Sequence, residues 1–267
     1  MVIYFLVALF GALLGSFFNV LIWRIPRNES VVFPASHCPN CNRAIKPWEN
    51  IPVLSYLLLG GKCAGCKAKI SIVYPIVEIF TSAMLLLLWL LFVEGRTITI
   101  LNGIPLGVQF AFLIFLIPIA VIDIRHYIIP DIFTLSFLVL SLVISFIPSG
   151  ITPLQSLLGI LAGGGSLWLL GFIGKVIFKK GDAMGGGDIK MMAAAGALWG
   201  PEVALIAIVL GAFLGSLAGL PMILLKKINA DHHIPFGPFL GAGLWISVIA
   251  GVKILQAYAQ FIKGLVG

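Results

Sequence analysis

The 267-residue chain is 60% hydrophobic and 10% charged, with a mean hydropathy of +1.13; soluble domains are roughly 45–50% apolar and about 25% charged. This excludes an ordinary soluble enzyme and predicts an all-α polytopic membrane protein with the lipid bilayer as its solvent. The net charge of +7 has to be read against the topology before any acidic partner is inferred from it.

A bilayer core about 30 Å thick is crossed by roughly 20 apolar residues, and about eight such stretches follow one another. They lie near 1–22, 76–93, 105–122, 132–147, 154–178, 189–200, 203–225 and 235–251, the sixth being short. The first has no Lys or Arg ahead of it and Arg24 and Arg27 behind it, the reverse of a cleavable signal peptide. By the positive-inside rule the N-terminus then faces outward and 23–74 is cytoplasmic. Alternation from there leaves only Arg96, Lys253 and Lys263 of the 17 basic residues outside. Topology therefore accounts for the charge, and no nucleic-acid partner is implied. GALLG (11–15) and GAFLGSLAG (211–219) carry the small-residue spacing of closely packed membrane helices.

The segment 23–74 holds all four cysteines, Cys38, Cys41, Cys63 and Cys66, as two CxxC pairs 21 residues apart. Paired thiolates at this spacing suit a structural tetrahedral zinc site, with no open position for a substrate. Asn42, just after the second cysteine, tolerates the left-handed backbone of such a turn. Disulfides and free thiols are the alternatives; a reducing cytoplasmic compartment argues against the disulfides. His37 is an alternative ligand or an exposed neighbour.

Only ten acids occur, and Asp123, Asp131, Asp182, Asp188 and Asp231 all fall at the cytoplasmic ends of spans. Asp123 follows an apolar run going inward and Asp188 precedes one going outward, so the two carboxyls can meet at one depth. Ionisable residues at membrane depth are functional candidates, and a close carboxyl pair can hold one base and one acid to activate water. Helix capping is the competing role for Asp131 and Asp188. Before Asp188 stand Gly185, Gly186 and Gly187; bare backbone here can line a cavity and pair with an extended substrate, or serve as a hinge or tight helix start.

Seven blocks taken together resemble the bacterial type IV prepilin peptidases, GxGD-type membrane aspartic proteases with N-methyltransferase activity. They are GSFFNVLIWRIP (15–26), SHCPNC (36–41), NIPVLSYLLLGGKCAGC (50–66), ISIVYPIVE (70–78), IDIRHYIIPD (122–131), MGGGDIK (184–190) and PFGPFLGAG (235–243). The resemblance implies that Asp123 and Asp188 are the catalytic aspartates and that the cysteine insert carries zinc and belongs to the methyl-transfer half. It implies a first transmembrane helix (1–22), a zinc-binding insert (23–74) and a membrane-embedded peptidase domain (75–267) in the bacterial inner membrane. The implied substrates are prepilins and pseudopilins, cut after Gly at the cytoplasmic face and methylated on the new N-terminal residue, commonly Phe, from S-adenosylmethionine. Pilus or secretion assembly machinery is an implied partner. Ala35 departs from the Arg that the family often places there.

No glycine-rich strand-to-helix loop marks a methyl-donor site; Glu29, Glu49 and Glu78 are candidates as the acids of the insert and its edge. Asp182 reads as a loop residue, and His232 and His233 as a solvated pair or a proton relay. A peptidase without methyl transfer, a zinc-stapled assembly scaffold and a proton-coupled carrier are the other functional classes; acids at the rim of the membrane argue against the carrier.

Overall fold

The computed structural model describes residues 1–148, 150–178, 184–224 and 234–266, of which 222–224 and 252–266 are described as backbone only. Asp182, Asp231, His232 and His233 lie outside the described residues. The chain divides into two compact units, Met1–Thr99 and Ile100–Gly267. All regular elements among the described residues are helical, apart from two isolated bridges in the insert.

In the first unit, α1 (Val2–Arg24) and α3 (Val73–Phe92) pack antiparallel, and the insert between them carries the short helix α2 (Leu54–Leu58). The register advances by four residues at a time. A Cβ on Gly11 would lie 2.6 Å from the Ser82 Cα, and one on Gly15 would lie 2.6 Å from the Glu78 Cα. Asn19, four residues further on, donates its side-chain amide to the Tyr74 carbonyl at 3.1 Å. Lipid tails supply no hydrophobic force between helices, so backbone contact made possible by small residues holds the pair. At the end of α1, Arg24 is buried and donates to the carbonyls of Ser30 (2.8 Å) and Pro34 (2.6 Å). Its charge closes the first loop of the insert.

The second unit contains α4 (Ile100–His126), α5 (Asp131–Ile144), α6 (Pro153–Ile160), α7 (Ser166–Phe178), α8 (Gly186–Trp199), α9 (Pro201–Leu224) and α10 (Gly237–Val266). A single π-type turn, Leu161–Gly165, joins α6 to α7, and the two form one candidate span. Among the described residues, five helices or helix pairs are long and apolar enough to cross a membrane, and Asp131–Ile144 and Gly237–Gly251 are shorter apolar helices. The sixth expected span, the short one at 189–200, corresponds to α8, only 14 residues long and buried from Met191 to Leu198. Its neighbours explain its composition: α5, α6, the π turn, α9 and α10 all contact it. Alanine and glycine leave those helices room to close around it.

The tightest of these contacts joins Gly159 of α6 to Gly196 of α8, where a Cβ on Gly159 would stand 1.9 Å from the Gly196 carbonyl oxygen. Gly163 rests on the Met192 carbonyl in the same way, at 2.2 Å for the added carbon. Ser156 and Ser141 donate to the Ala197 and Ala194 carbonyls of α8 (2.8 and 3.5 Å). α9 and α10 repeat the pattern: Gly211 abuts Leu240, and Gly243 abuts the Ala207 carbonyl. Gly165, by contrast, faces open space. Gly159→Ala is therefore expected to destabilise the protein by about 1–3 kcal/mol through overpacking, read as a lower thermal midpoint in detergent, while Gly165→Ala leaves the midpoint in place.

Candidate active site

Asp123 occupies the last turns of α4, and Asp188 is the third residue of α8; both are buried. The Asp123 Oδ2 accepts the Gly237 amide at 3.0 Å. That amide opens α10, where the first N–H groups have no partner within the helix, and Pro238 fits the first turn because it has no N–H to satisfy. Three elements thus meet at one point: the end of α4, the start of α8 and the start of α10.

Ile129 bridges them. Its Cβ would lie 2.6 Å from a Cβ on Gly187, and its Cδ1 3.0 Å from one on Gly237. The connection from α4 to α5 turns through Tyr127, at a φ of 56°, before reaching Ile129. The Asp188 carboxyl lies within reach of the Asp123 charge. The Asp188 Oδ1 is buried with no hydrogen-bond partner among the described residues. Buried polar atoms are rarely left so, and this one stands where an incoming group could supply the bond.

The capping alternatives do not hold in this geometry. α8 is preceded by Gly185, and no side chain caps it; Asp188 makes no such bond. Asp131 is the first residue of α5, behind Pro130, and its carboxylate pairs instead with Lys190 at 2.7 and 2.8 Å. The glycine stretch also differs from an extended edge, because Gly186 and Gly187 already belong to the first turn of α8 and only Gly185 is extended. Close approach is what requires glycine here. A Cβ on Gly185 would stand 2.7 Å from the Asp188 Oδ2, and one on Gly187 would strike Ile129.

In the first unit the four cysteine sulfurs lie within 4.8 Å of one another, and Cys38 and Cys66 are 3.8 Å apart. Sulfurs about 2.3 Å from a tetrahedral metal are separated by about 3.8 Å; a disulfide needs roughly 2.05 Å. The donor set and its spacing fit a tetrahedral metal, and the four are free thiols. Each pair forms the same turn. The Asn42 amide donates to the Cys38 carbonyl and the Lys67 amide to the Cys63 carbonyl, and both residues are left-handed, with φ of 55° and 61°. Asn42 was legible as such a residue; Lys67 was not, because the metal geometry imposes what lysine does not favour.

The side-chain amide of Asn40 and the Ala68 amide hold the Cys66 thiol down at about 6, ready to ligate as thiolate. Cys41 is pushed up to about 11: the Arg43 amide favours its thiolate, but lost hydration and the three neighbouring sulfurs outweigh it. Such competition for negative charge is what a divalent cation relieves. His37 stands outside the cluster, with its ring nitrogen on the Ala35 carbonyl. Arg43 and Glu49 form a 2.7 Å ion pair beside the cysteines. Arg43, then the Lys46 amide, hold the Glu49 carboxyl below its ordinary range. Glu78 accepts the Val53 amide at 2.7 Å, so its partner in the insert is backbone. Glu29 is exposed.

Two domain profiles match the chain: Bacterial Peptidase A24 N-terminal domain over residues 9–92, and Type IV leader peptidase family over residues 110–220. Among curated relatives, the prepilin leader peptidase/N-methyltransferase of Neisseria gonorrhoeae is 36% identical over 278 residues, covering 94% of this chain and 92% of its own. The protein of the same name from Pseudomonas aeruginosa is 33% identical, covering 95% and 92%, and that from Pseudomonas putida is 30% identical, covering 96% and 94%. No solved structure matches the chain. With both profiles matched in order and such relatives aligned over nearly their whole length, this multi-pass membrane protein belongs to the type IV leader peptidase family.

Proposed function

We propose that the chain is a prepilin peptidase and N-methyltransferase of the bacterial inner membrane, with Asp123 and Asp188 as its catalytic pair. It cleaves the short basic leader of prepilins or pseudopilins after Gly and methylates the α-amino group so exposed, in the service of a pilus or secretion assembly machine. The observation that carries this reading is the Asp188 carboxyl, buried with one oxygen unpartnered, across Ile129 from an Asp123 held by the Gly237 amide. The positive-inside reading puts the N-terminus outside and both the insert and the aspartates at the cytoplasmic side.

For hydrolysis, one carboxylate takes a proton from water as the water oxygen bonds to the scissile carbonyl carbon. The other carboxyl gives its proton to the departing nitrogen as the C–N bond breaks. The Gly237 amide holds Asp123 in orientation throughout. Of the three glycines before Asp188, Gly186 faces open space and leaves room for the substrate backbone, while Gly185 and Gly187 let Asp188 and Ile129 pack close.

The second step uses S-adenosylmethionine, which supplies an electrophilic methyl group on a sulfonium. The new α-amine would accept that methyl group, the C–S bond breaking with its electron pair left on sulfur and the extra proton on nitrogen passing to water. Zinc held by Cys38, Cys41, Cys63 and Cys66 folds the insert, and with four thiolate ligands it is structural.

Asp123→Asn and Asp188→Asn are each expected to lower leader cleavage at least roughly a hundredfold with zinc content unchanged, followed by mass spectrometry of a peptide with a basic leader, Gly-Phe and an apolar helix. Full cleavage by Asp188→Asn would remove the assignment, and full biological function without either carboxyl would favour a scaffold. The cleavage rate should fall toward both low and high pH, with apparent values belonging to the pair. Cys63→Ser is expected to lose zinc by metal analysis, and with it methylation, while leader cleavage continues; loss of both activities would make the insert a folding element for the whole enzyme.

A further inference from the structure

The first unit holds a half-open pocket of about 340 Å³ directly against the cysteine turns. Cys38 and Cys63 stand on one wall; Tyr74, Pro75 and Glu78, from the first turns of α3, form another. A volume above about 300 Å³ belongs to the range of small-molecule sites, far larger than a metal or a single water requires. A smaller cavity of about 100 Å³ shares Trp23, Asn50 and Tyr74 with it. The two pockets are therefore neighbours, and the larger has the volume of a small-molecule site.

Its walls are held in place. The Ser55 hydroxyl donates to the Trp48 carbonyl at 2.9 Å and accepts the Ile51 amide at 2.9 Å, which pins the 48–55 turn. Val53 within that turn has φ 61° and ψ −50°, a conformation a β-branched residue rarely adopts. Its amide is aimed at the Glu78 carboxylate, 2.7 Å away. Backbone strain of this kind gathers at binding sites, where the surroundings over-determine it.

Glu78 is the buried charge of the cavity, and among the described residues no lysine or arginine pairs with it. Of the basic residues lining the two pockets, Arg43 is committed to Glu49, the buried Arg24 to the Ser30 and Pro34 carbonyls, and Lys69 is exposed. A buried carboxylate ordinarily has a cation beside it, and here an occupant of the cavity can provide it. The indole of Trp23 and the phenol rings of Tyr56 and Tyr74 line the same space. Such faces take a purine ring, and they also attract a cation. A phosphorylated nucleotide would bring anionic charge toward Glu78; a sulfonium nucleoside brings the opposite sign.

We propose that this cavity is the S-adenosylmethionine site, with Glu78 as counter-charge to the sulfonium and Trp23, Tyr56 and Tyr74 receiving the adenosine. The assignment rests on the reading of the chain as an N-methyltransferase. It turns the cysteine insert from a separate metal module into one wall of a donor pocket, with the first turns of α3 as another.

The test uses the full-length zinc-loaded protein in detergent. Ultraviolet cross-linking of radiolabelled S-adenosylmethionine followed by peptide mapping should place the label within 23–78; label confined to 100–267 would overturn the proposal. Glu78→Gln, checked for folding by its zinc content, should weaken S-adenosylmethionine binding at least tenfold by equilibrium dialysis and weaken S-adenosylhomocysteine, whose sulfur is neutral, by less. Unchanged affinity in a zinc-replete Glu78→Gln protein would overturn the proposal even while methylation continued. A wild-type protein that cleaves but neither binds nor uses the donor would instead refute the methyltransferase reading. Should Glu78→Gln lose its zinc, the label position in the wild-type protein decides the matter, with Tyr56→Leu as the second variant for dialysis.

Discussion

Backbone meeting backbone, with no side chain between, is the constraint on which the rest of this molecule depends. In lipid a leucine gains nothing by leaving the tails for another helix, so helices hold together where glycine lets their main chains touch. Gly159 against Gly196 and Gly163 against Met192 fix the depth of α8, and therefore of the carboxyl at its start. Gly11 and Gly15 do the same for α3, and so for Glu78 in its second turn. The acids stand where the glycines put them.

The two units use buried carboxyl groups in different ways. Asp123 is restrained by a helix-start amide, and Asp188, beside it, keeps an oxygen without a partner. A restrained group next to an unsatisfied one suits acid–base work, which needs orientation together with a free position for the reacting atoms. Glu78 instead binds a strained amide and faces a half-open pocket, an arrangement that suits holding a cation over passing protons. Hydrolysis and methyl transfer ask for these two environments, and each unit carries one.

The cysteine turns show how little sequence a metal site needs and how much backbone it dictates. Two CxxC pairs are legible at once from spacing. The left-handed Lys67, the Asn40 donor to Cys66 and the Arg43–Glu49 pair follow only once the sulfurs are gathered. None of these residues carries a signal of its own, since lysine, asparagine and arginine in a polar insert read equally well as solvated surface.

By itself the sequence determined the solvent, the helical class, the approximate spans, the cysteine quartet and Asp123 and Asp188 as candidate acids, because hydropathy, ligand spacing and rare charge in an apolar chain are local properties. Only the tertiary structure decided that Asp131 pairs with Lys190 and is not a cap, that Gly186 and Gly187 begin a helix, that Ile129 and Gly237 join the aspartates, and that Glu78 faces a cavity. Each of these depends on which surfaces of distant segments meet. Spacing along one helix constrains its own faces and says nothing of what another helix brings to them.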